Sequence, residues 1–157
     1  MVIYYQFKDN EKTYTIHKIE DLYSSKDFDK ITFLEIENNE INELTNFPPK
    51  LEILHLYDNG LTKIENYPLT LKEFCVREKK LKVLTNLPVG LKFLECSNSN
   101  LIKIDVPIGV RKLYCTNNKI AELKDLPYLD ELICDVNVKI ISSVNLNTLK
   151  SYVRYFT

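Results

Sequence analysis

The sequence lacks an excess of charge of either sign. Its 21 basic and 22 acidic residues are interspersed and leave a net charge of −1 over 157 residues. A protein that binds a phosphate backbone presents a basic patch, so this balance argues against a nucleic-acid partner. Apolar residues make up 45% of the chain and charged residues 27%, which is typical of an ordinary soluble domain and not of a disordered or membrane protein.

Long apolar runs are missing as well. The first twelve residues, MVIYYQFKDNEK, have no basic start, and their apolar run is too short for a secretory signal or a membrane span. The sequence has no Asn-x-Ser/Thr acceptor for glycosylation. We therefore expect an intracellular, cytoplasmic protein with no membrane partner, in which the four cysteines are reduced thiols and not a disulfide framework.

The chain does contain a repeat with a period near 20 residues. Its units open at Ile31, Leu51, Leu71, Leu91, Val110 and Leu129, at intervals of 20, 20, 20, 19 and 19 residues. The fourth and sixth places of each unit are also apolar, which predicts a short strand with one buried face. Late prolines at Pro48, Pro68, Pro88, Pro107 and Pro127 disfavour a long helix on the return path. Because no unit can cover its own apolar face, the pattern predicts stacking into a solenoid.

The ninth place of each unit follows the predicted strand and favours asparagine. The six residues there are Asn39, Asn59, Lys79, Ser99, Asn118 and Asn137. An asparagine side chain that turns inward can satisfy backbone groups where a strand ends. We therefore expect these side chains to form a ladder along the solenoid.

The repeated pattern LxxLxLxxNxLxxLxxxP resembles the leucine-rich repeat, and its short period with a late proline is similar to the repeats of bacterial effector proteins. The match covers residues 31 to about 137. The resemblance implies a mainly β solenoid with a parallel β-sheet on its concave face and extended or 3₁₀ segments on its convex side. The Asn-, Lys-, Ile- and Tyr-rich composition also resembles repeat proteins of large DNA viruses and AT-rich microbes.

The two ends of a solenoid expose apolar surface and must be capped. Residues 1–30 predict an N-terminal β-hairpin cap, because strand-like runs at Val2–Phe7 and Thr13–His17 flank a polar turn. We expect the second of these runs to be a degenerate first coil, followed by a short helical or irregular link around 21–29. Repeats then fill 31–137. Residues 138–157 predict a degenerate repeat that ends in either an edge strand or a helix, so that 1–157 is a single domain.

The third, fifth and seventh places of each unit should face the concave side, since the fourth and sixth face inward. Aromatic and apolar residues ringed by charge are typical of protein-binding hot spots. The candidate partner-binding residues on this face are Phe33, Glu35, Ile53, His55, Tyr57, Arg77, Phe93, Glu95 and Tyr114.

Two further clusters invite chemical interpretations. Glu35, His55 and Cys75 occupy the fifth place of adjacent units and suggest a carboxylate, imidazole and thiol relay, which is the alternative of a cysteine-dependent enzyme. A regular open sheet offers that relay no oxyanion hole and no closed cleft, so we expect no catalytic residues. The inward cysteines of the sixth place, Cys96, Cys115 and Cys134, lack the close spacing of a zinc site and predict buried thiols, with no metal and no cofactor.

The sequence therefore favours a non-enzymatic module, expected to be monomeric, that binds a protein partner on its concave face. A viral or microbial host-interaction factor is one specific use of that activity. Bacterial effectors with similar repeats often carry a separate enzymatic ubiquitin-ligase domain, but this sequence ends soon after the last repeat, so we expect the resemblance not to carry that activity over.

Overall fold

The structure is a computed structural model that describes residues 2–8, 10–141, 149 and 151–155. Its elements in chain order are β1 (Val2–Phe7), β2 (Asn10–Ile16), α1 (Ile19–Tyr23), a 3₁₀ turn (Phe28–Lys30), β3 (Ile31–Glu37), β4 (Glu43–Leu44), β5 (Ile53–Tyr57), β6 (Lys63–Ile64), β7 (Glu73–Arg77), β8 (Val83–Leu84), β9 (Phe93–Glu95), β10 (Lys103–Ile104), β11 (Lys112–Tyr114), β12 (Glu122–Lys124), β13 (Glu131–Asp135), β14 (Lys139–Ile141) and β15 (Ser151–Tyr155). Among these described residues strands dominate, and the helical segments are short and lie before β3.

The predicted β solenoid is confirmed. Within the described ranges the main sheet has nine strands in the order β15-β13-β11-β9-β7-β5-β3-β1-β2. From β3 to β15 all neighbours are parallel, and the pairing keeps equivalent places in register, so that Leu34 lies opposite Leu54 and Leu54 opposite Phe74. On the convex side the short strands pair in parallel as β4 with β6, β8 with β10 and β12 with β14.

The core lies between the main sheet and the return segments. All six fourth-place side chains are fully buried, and so are the sixth-place ones with at most a trace of exposure. Burying a leucine-sized side chain contributes about 1.5–3 kcal/mol, so these two columns supply much of the stabilisation. The late prolines direct the chain into the next strand, since the Pro48 carbonyl accepts a hydrogen bond from Leu51 N–H at 3.1 Å and the turns at Pro68, Pro88 and Pro107 repeat that bond.

The N-terminal hairpin cap is confirmed, but its order in the sheet differs from the expectation. The strand beside β3 is β1, which runs antiparallel to it, while β2 forms the outer edge. The expectation that the second run is the first coil was therefore wrong in position, although Ile16 and Ile36 do share one row, through Ile3 between them. The physical reason is burial, because Ile3 is fully enclosed whereas β2 carries polar residues that suit an exposed edge.

The segment between β2 and β3 and the C-terminal segment both contain regular secondary structure. Between β2 and β3 the chain forms α1 and the 3₁₀ turn, and Leu22 of α1 packs into the core. Of the two alternatives for the C-terminal segment, Ser151–Tyr155 forms the strand, β15, which pairs in parallel with β13. Residues 142–148, 150 and 156–157 of the predicted degenerate repeat lie outside the described residues.

The predicted polar ladder runs along the strand ends, but two of its members are not those expected. Asn59 fits the expectation, because its Oδ1 accepts from Asn39 N–H at 3.0 Å and its Nδ2 donates to the Ile36 carbonyl at 2.8 Å. In the next unit the ladder side chain is Glu78, one place before Lys79. In the last unit it is Asp135, which accepts from Asn117 N–H at 3.0 Å, while Asn137 is exposed.

Glu78 is the most heavily bonded of these side chains. Its carboxylate is fully buried and accepts from the N–H groups of Asn59, Gly60 and Leu61 at 2.9–3.1 Å, and from Asn59 Nδ2 at 2.9 Å. Three successive backbone donors replace the water that the carboxylate loses on burial. The adjoining serine completes the link, since Ser99 Oγ accepts from Glu78 N–H at 3.0 Å.

The eighth place explains why the ladder shifts at Glu78. In four other units this place holds Asn38, Asp58, Asn98 or Asn117, each with φ between 53° and 58°. Asn and Asp tolerate that left-handed conformation far better than other residues with side chains. Glu78 does not adopt it, and its side chain enters the core where the ninth-place asparagine enters in other units.

We predict that replacing Glu78 by Gln or by Ala strongly destabilises the protein. Gln would place an NH₂ donor against backbone N–H donors, and Ala would leave those donors without an acceptor. Unsatisfied buried groups cost about 1–3 kcal/mol each, so the free energy of unfolding should fall by about 3 kcal/mol or more. Urea unfolding measures this change. Glu65→Gln, which removes the same charge from an exposed pair with Lys63, is the matched control and should have little effect; equal effects would contradict the assignment.

Two equivalent glycines provide a second prediction. A Cβ on Gly109 would lie 2.1 Å from the Val89 carbonyl oxygen and 2.8 Å from that of Leu91, whereas a Cβ on Gly90 would meet nothing closer than 3.5 Å. Gly109 closes a unit of 19 residues, in which the return segment is one residue shorter. Gly109→Ala should therefore lower the melting temperature markedly, because backbone has to move. Gly90→Ala should leave the melting temperature almost unchanged, and a larger loss at Gly90 than at Gly109 would refute this packing.

Candidate binding face of the sheet

The concave face is built by alternation along the strands. Residues of the third, fifth and seventh places project away from the core, and parallel pairing sets them side by side in rows across the sheet. All nine candidate residues lie on this face, on the five successive strands β3, β5, β7, β9 and β11. Most of them are half-buried against one another, and Arg77 is exposed.

The aromatic candidates form two clusters and are not scattered. In the first, the Phe33 ring meets the His55 ring edge-on at 5.4 Å between centroids, and the Tyr57 ring lies 5.8 Å from that of His55. In the second, Phe93 meets Tyr114 edge-on at 5.3 Å. Edge-to-face contacts at these distances stabilise the rings beyond their burial, so the clusters are ordered before any ligand arrives.

Polar contacts fix the orientation of both tyrosines. The Arg77 guanidinium lies 5.1 Å from the centre of the Tyr57 ring and pairs with Asp58 at 3.3 Å. The Tyr114 hydroxyl donates a 2.5 Å hydrogen bond to Glu131. That bond, with burial and the nearby carboxylate charge, raises the pKa of Tyr114. Both rings are therefore held by cation–π or hydrogen-bonding partners on the neighbouring strand.

The centre of the face carries acidic charge. Glu35, Glu73 and Glu95 lie in the rows around His55 and Cys75, with Arg77 at the margin. Glu95 is anchored, because its carboxylate accepts from Ser97 N–H at 2.8 Å. Glu35, Tyr57, Arg77 and Glu95 line a shallow depression on this face.

The structure does not form the relay that the fifth-place residues suggested. His55 Nδ1 lies 3.3 Å from Glu35 as expected, but Nε2 faces Glu73 at 3.1 Å instead of the Cys75 thiol. Burial and the adjacent Glu73 carboxylate raise the pKa of the Cys75 thiol to about 12. A nucleophilic cysteine needs a lowered pKa and a facing base, and Cys75 has neither.

The sixth-place cysteines behave as buried hydrophobic residues. Cys96, Cys115 and Cys134 are fully buried, free thiols in the core. The Cys96 and Cys115 thiols donate to the backbone carbonyls of Tyr114 at 3.4 Å and Ile133 at 3.6 Å. Burial raises the pKa of all three thiols, which accords with their predicted role as small core residues.

One exposed apolar surface was not predicted from the sequence. The residues after four of the five late prolines form an exposed apolar column, which we call the post-proline stripe and define as Leu69, Val89, Ile108 and Tyr128. These side chains are between 54% and 83% exposed. The signal was present in the repeat itself, because the place after proline is apolar in four successive units although packing does not require it.

Comparison with known proteins supports the fold. No protein family matches the sequence, and no curated protein matches it significantly. The structure is similar to that of YopM from Yersinia enterocolitica WA-314, with a TM-score of 0.64 and 20% sequence identity over 78% of this chain and 32% of that one. The chain thus spans about a third of the length of the YopM chain. At this identity the likeness establishes the leucine-rich repeat fold.

The described part of the chain holds no helix that is long and apolar enough to cross a membrane.

We predict that Cys75 reacts slowly with iodoacetamide at neutral pH. Because its pKa is raised to about 12, the thiolate fraction at pH 7 should be roughly 10³-fold below that of an ordinary cysteine with a pKa near 8.5. The alkylation rate should rise as the pH increases from 9 towards 12. Mass spectrometry of Cys75 measures the rate, and urea-unfolded chain is the control that should react normally. Fast alkylation of folded protein at pH 7 would revive the catalytic alternative.

Proposed function

We propose that this chain is a non-enzymatic protein-interaction module that binds a protein partner on its concave face. The main support is the pair of ordered aromatic clusters around His55 and Tyr114. Their side chains lie on the face of the sheet that does not pack against the core. Extended concave sheets are the surfaces that solenoid proteins use for recognition.

The energetics of the clusters favour binding. Aromatic side chains held by fixed neighbours lose little conformational entropy when a partner covers them, so most of the energy of burial contributes to affinity. Phe33, Tyr57, Phe93 and Tyr114 offer such anchors. The charged groups beside them, such as Glu95 and Arg77, would orient the partner and set its association rate.

The same face gives little support to the alternative of an enzyme that uses Cys75, His55 and Glu35. The Cys75 thiol is protonated at neutral pH, and Nε2 of His55 is engaged with Glu73. The sheet amides that could form an oxyanion hole are committed to pairing between strands.

We further propose a biological role for this module. A viral or microbial host-interaction factor fits the repeat type, and the structural likeness to a Yersinia protein is consistent with a microbial one. We further propose that the module acts inside cells as a monomer, with no nucleic-acid or membrane partner. The near-neutral net charge of −1 supports the exclusion of nucleic acid.

Two double variants test the proposal against the other exposed apolar surface. Tyr57→Ala with Phe93→Ala removes one anchor from each cluster, while Leu69→Ser with Ile108→Ser removes two side chains of the post-proline stripe. A partner identified by affinity purification with mass spectrometry would be purified and titrated against each protein. Because hot-spot residues contribute about 2 kcal/mol each, the concave variant should bind at least 30-fold more weakly.

The stripe variant is the control and should bind as the unaltered protein does. Circular dichroism and urea unfolding would establish that both variants fold. If the stripe variant loses binding and the concave variant retains it, the binding surface is the post-proline stripe and the proposal fails.

A further inference from the structure

Three potential ligand side chains converge at the centre of the concave face. His55 on β5 and Glu73 and Cys75 on β7 each present one ligand atom, and these atoms all lie within 4.8 Å of one another. The convergence follows from the sheet, because His55 pairs with Cys75 across the two strands and Glu73 lies two residues before Cys75 on the same face. No expectation from the sequence placed a metal here, since Glu73 is a third-place residue outside the fifth-place column.

We propose that His55 Nε2, the Glu73 carboxylate and the Cys75 thiolate form a binding site for one Zn²⁺ ion. Imidazole, carboxylate and thiolate together suit zinc, whereas magnesium and calcium take oxygen ligands almost exclusively. Three protein ligands leave the fourth tetrahedral position to water. This site is distinct from the buried Cys96, Cys115 and Cys134 column considered from the sequence.

The spacing fits zinc after small side-chain movements. Tetrahedral coordination with ordinary bond lengths separates nitrogen and oxygen ligands by about 3.3 Å, and places sulfur about 3.6 Å from either. His55 Nε2 lies 3.1 Å from Glu73 Oε1, and Cys75 Sγ lies 4.0 Å from that same oxygen. The N–O distance would widen by about 0.2 Å and the S–O distance would shorten by about 0.4 Å, while all three ligand atoms already lie within 4.8 Å of one another.

Glu35 provides the outer hydrogen bond that histidine ligands normally have. Its carboxylate lies 3.3 Å from His55 Nδ1, so a metal-bound His55 would carry its proton on Nδ1, donate to Glu35 and turn the Nε2 lone pair towards Glu73. With the proton on Nδ1, the Nε2 lone pair and the Glu73 oxygen, 3.1 Å apart, are both free to bind a cation between them. This carboxylate–histidine–metal arrangement is the usual second shell of zinc sites.

The surrounding charge also favours a cation. Glu35 and Glu95 lie on the strands to either side of His55 and Cys75, so two carboxylates border the site in addition to the ligand Glu73. The nearest cationic side chain on β7, Arg77, is engaged by Asp58 and by the Tyr57 ring. The side chains of His55, Glu35 and Glu73 keep between 19% and 37% of their surface exposed, so an ion can reach them from solvent.

Cys75 becomes a ligand by losing its proton. In the free protein burial and Glu73 keep the thiol protonated by raising its pKa to about 12. As the Zn–S bond forms, the thiol proton passes to the buffer, since a coordinating thiol is deprotonated by the metal charge. No oxidation or reduction is involved.

The experiment titrates Zn²⁺ into the metal-free full chain by isothermal calorimetry, in the absence of any protein partner. We expect about one ion per chain, with release of about one proton that is detected by comparing buffers of different ionisation enthalpy. Co²⁺ in place of Zn²⁺ should give a thiolate-to-metal charge-transfer band in the near ultraviolet. Because no partner is present, failure of this site would leave the proposed function untouched, and the reverse also holds.

Variants assign the ligands. His55→Ala and Cys75→Ala should abolish measurable binding, and Cys75→Ala should also remove the charge-transfer band. Glu35→Gln, which alters the outer hydrogen bond, should weaken binding about 10- to 100-fold. The exposed second histidine supplies the control, since His17→Ala should bind as the unaltered chain does, and Cys75→Ser serves if Cys75→Ala does not fold.

Three results would overturn the site. The first is the absence of bound Zn²⁺ in calorimetry, which would leave contacts between His55 and the Glu35 and Glu73 carboxylates as the account of the cluster. The second is equal binding by the unaltered chain, His55→Ala and Cys75→Ala. The third is Co²⁺ binding without the thiolate band, which would exclude Cys75 as a ligand.

Discussion

The backbone hydrogen bonds between successive coils are the constraint on which the rest of this structure depends. They hold equivalent places of each unit side by side, about 4.8 Å apart, so every feature of one coil is copied beside its equivalent in the next. The core columns, the polar ladder and the rows of the concave face are three consequences of this single register. A side chain in this fold is therefore defined by its place in the unit, and its neighbours are the same place in the units before and after.

The polar ladder shows how a strict register tolerates different residues. What each unit must supply is an acceptor for backbone donors at the end of the neighbouring strand, and the source of that acceptor varies. Asn59 supplies an amide, Ser99 a hydroxyl, and Glu78 and Asp135 carboxylates. Glu78 satisfies three successive N–H groups, which makes a fully buried charge compatible with a small apolar core. The fold requires an acceptor atom at that position, and an amide, a hydroxyl or a carboxylate can each provide it.

Periodicity was sufficient to predict the solenoid, the inward columns and the face on which each candidate residue lies, because those depend on place within the unit. It was insufficient where backbone conformation or side-chain length determines which residues are in contact. Glu78 and not Lys79 contributes the side chain of the polar ladder, because Glu78 does not adopt the left-handed φ of the equivalent residues in other units. Aligning the repeats by sequence gives no information on φ. Likewise His55 was expected to face Cys75 directly across the strands, yet Nε2 meets the diagonal neighbour Glu73. The placement of β1 against β3 required a comparison of the apolar content of two strands, which repeat spacing does not weigh.

The antiparallel β1 has a consequence for growth of the sheet. Every other junction from β3 onwards joins parallel strands and could in principle accept one more coil of the same kind, as in any stack of identical units. The reversal of direction at β1, followed by the polar outer strand β2, breaks that translational rule, so a further coil placed outside β2 would meet neither the hydrogen-bond pattern nor the apolar columns that it needs. The hairpin thus ends the regular succession of parallel coils at that edge of the sheet.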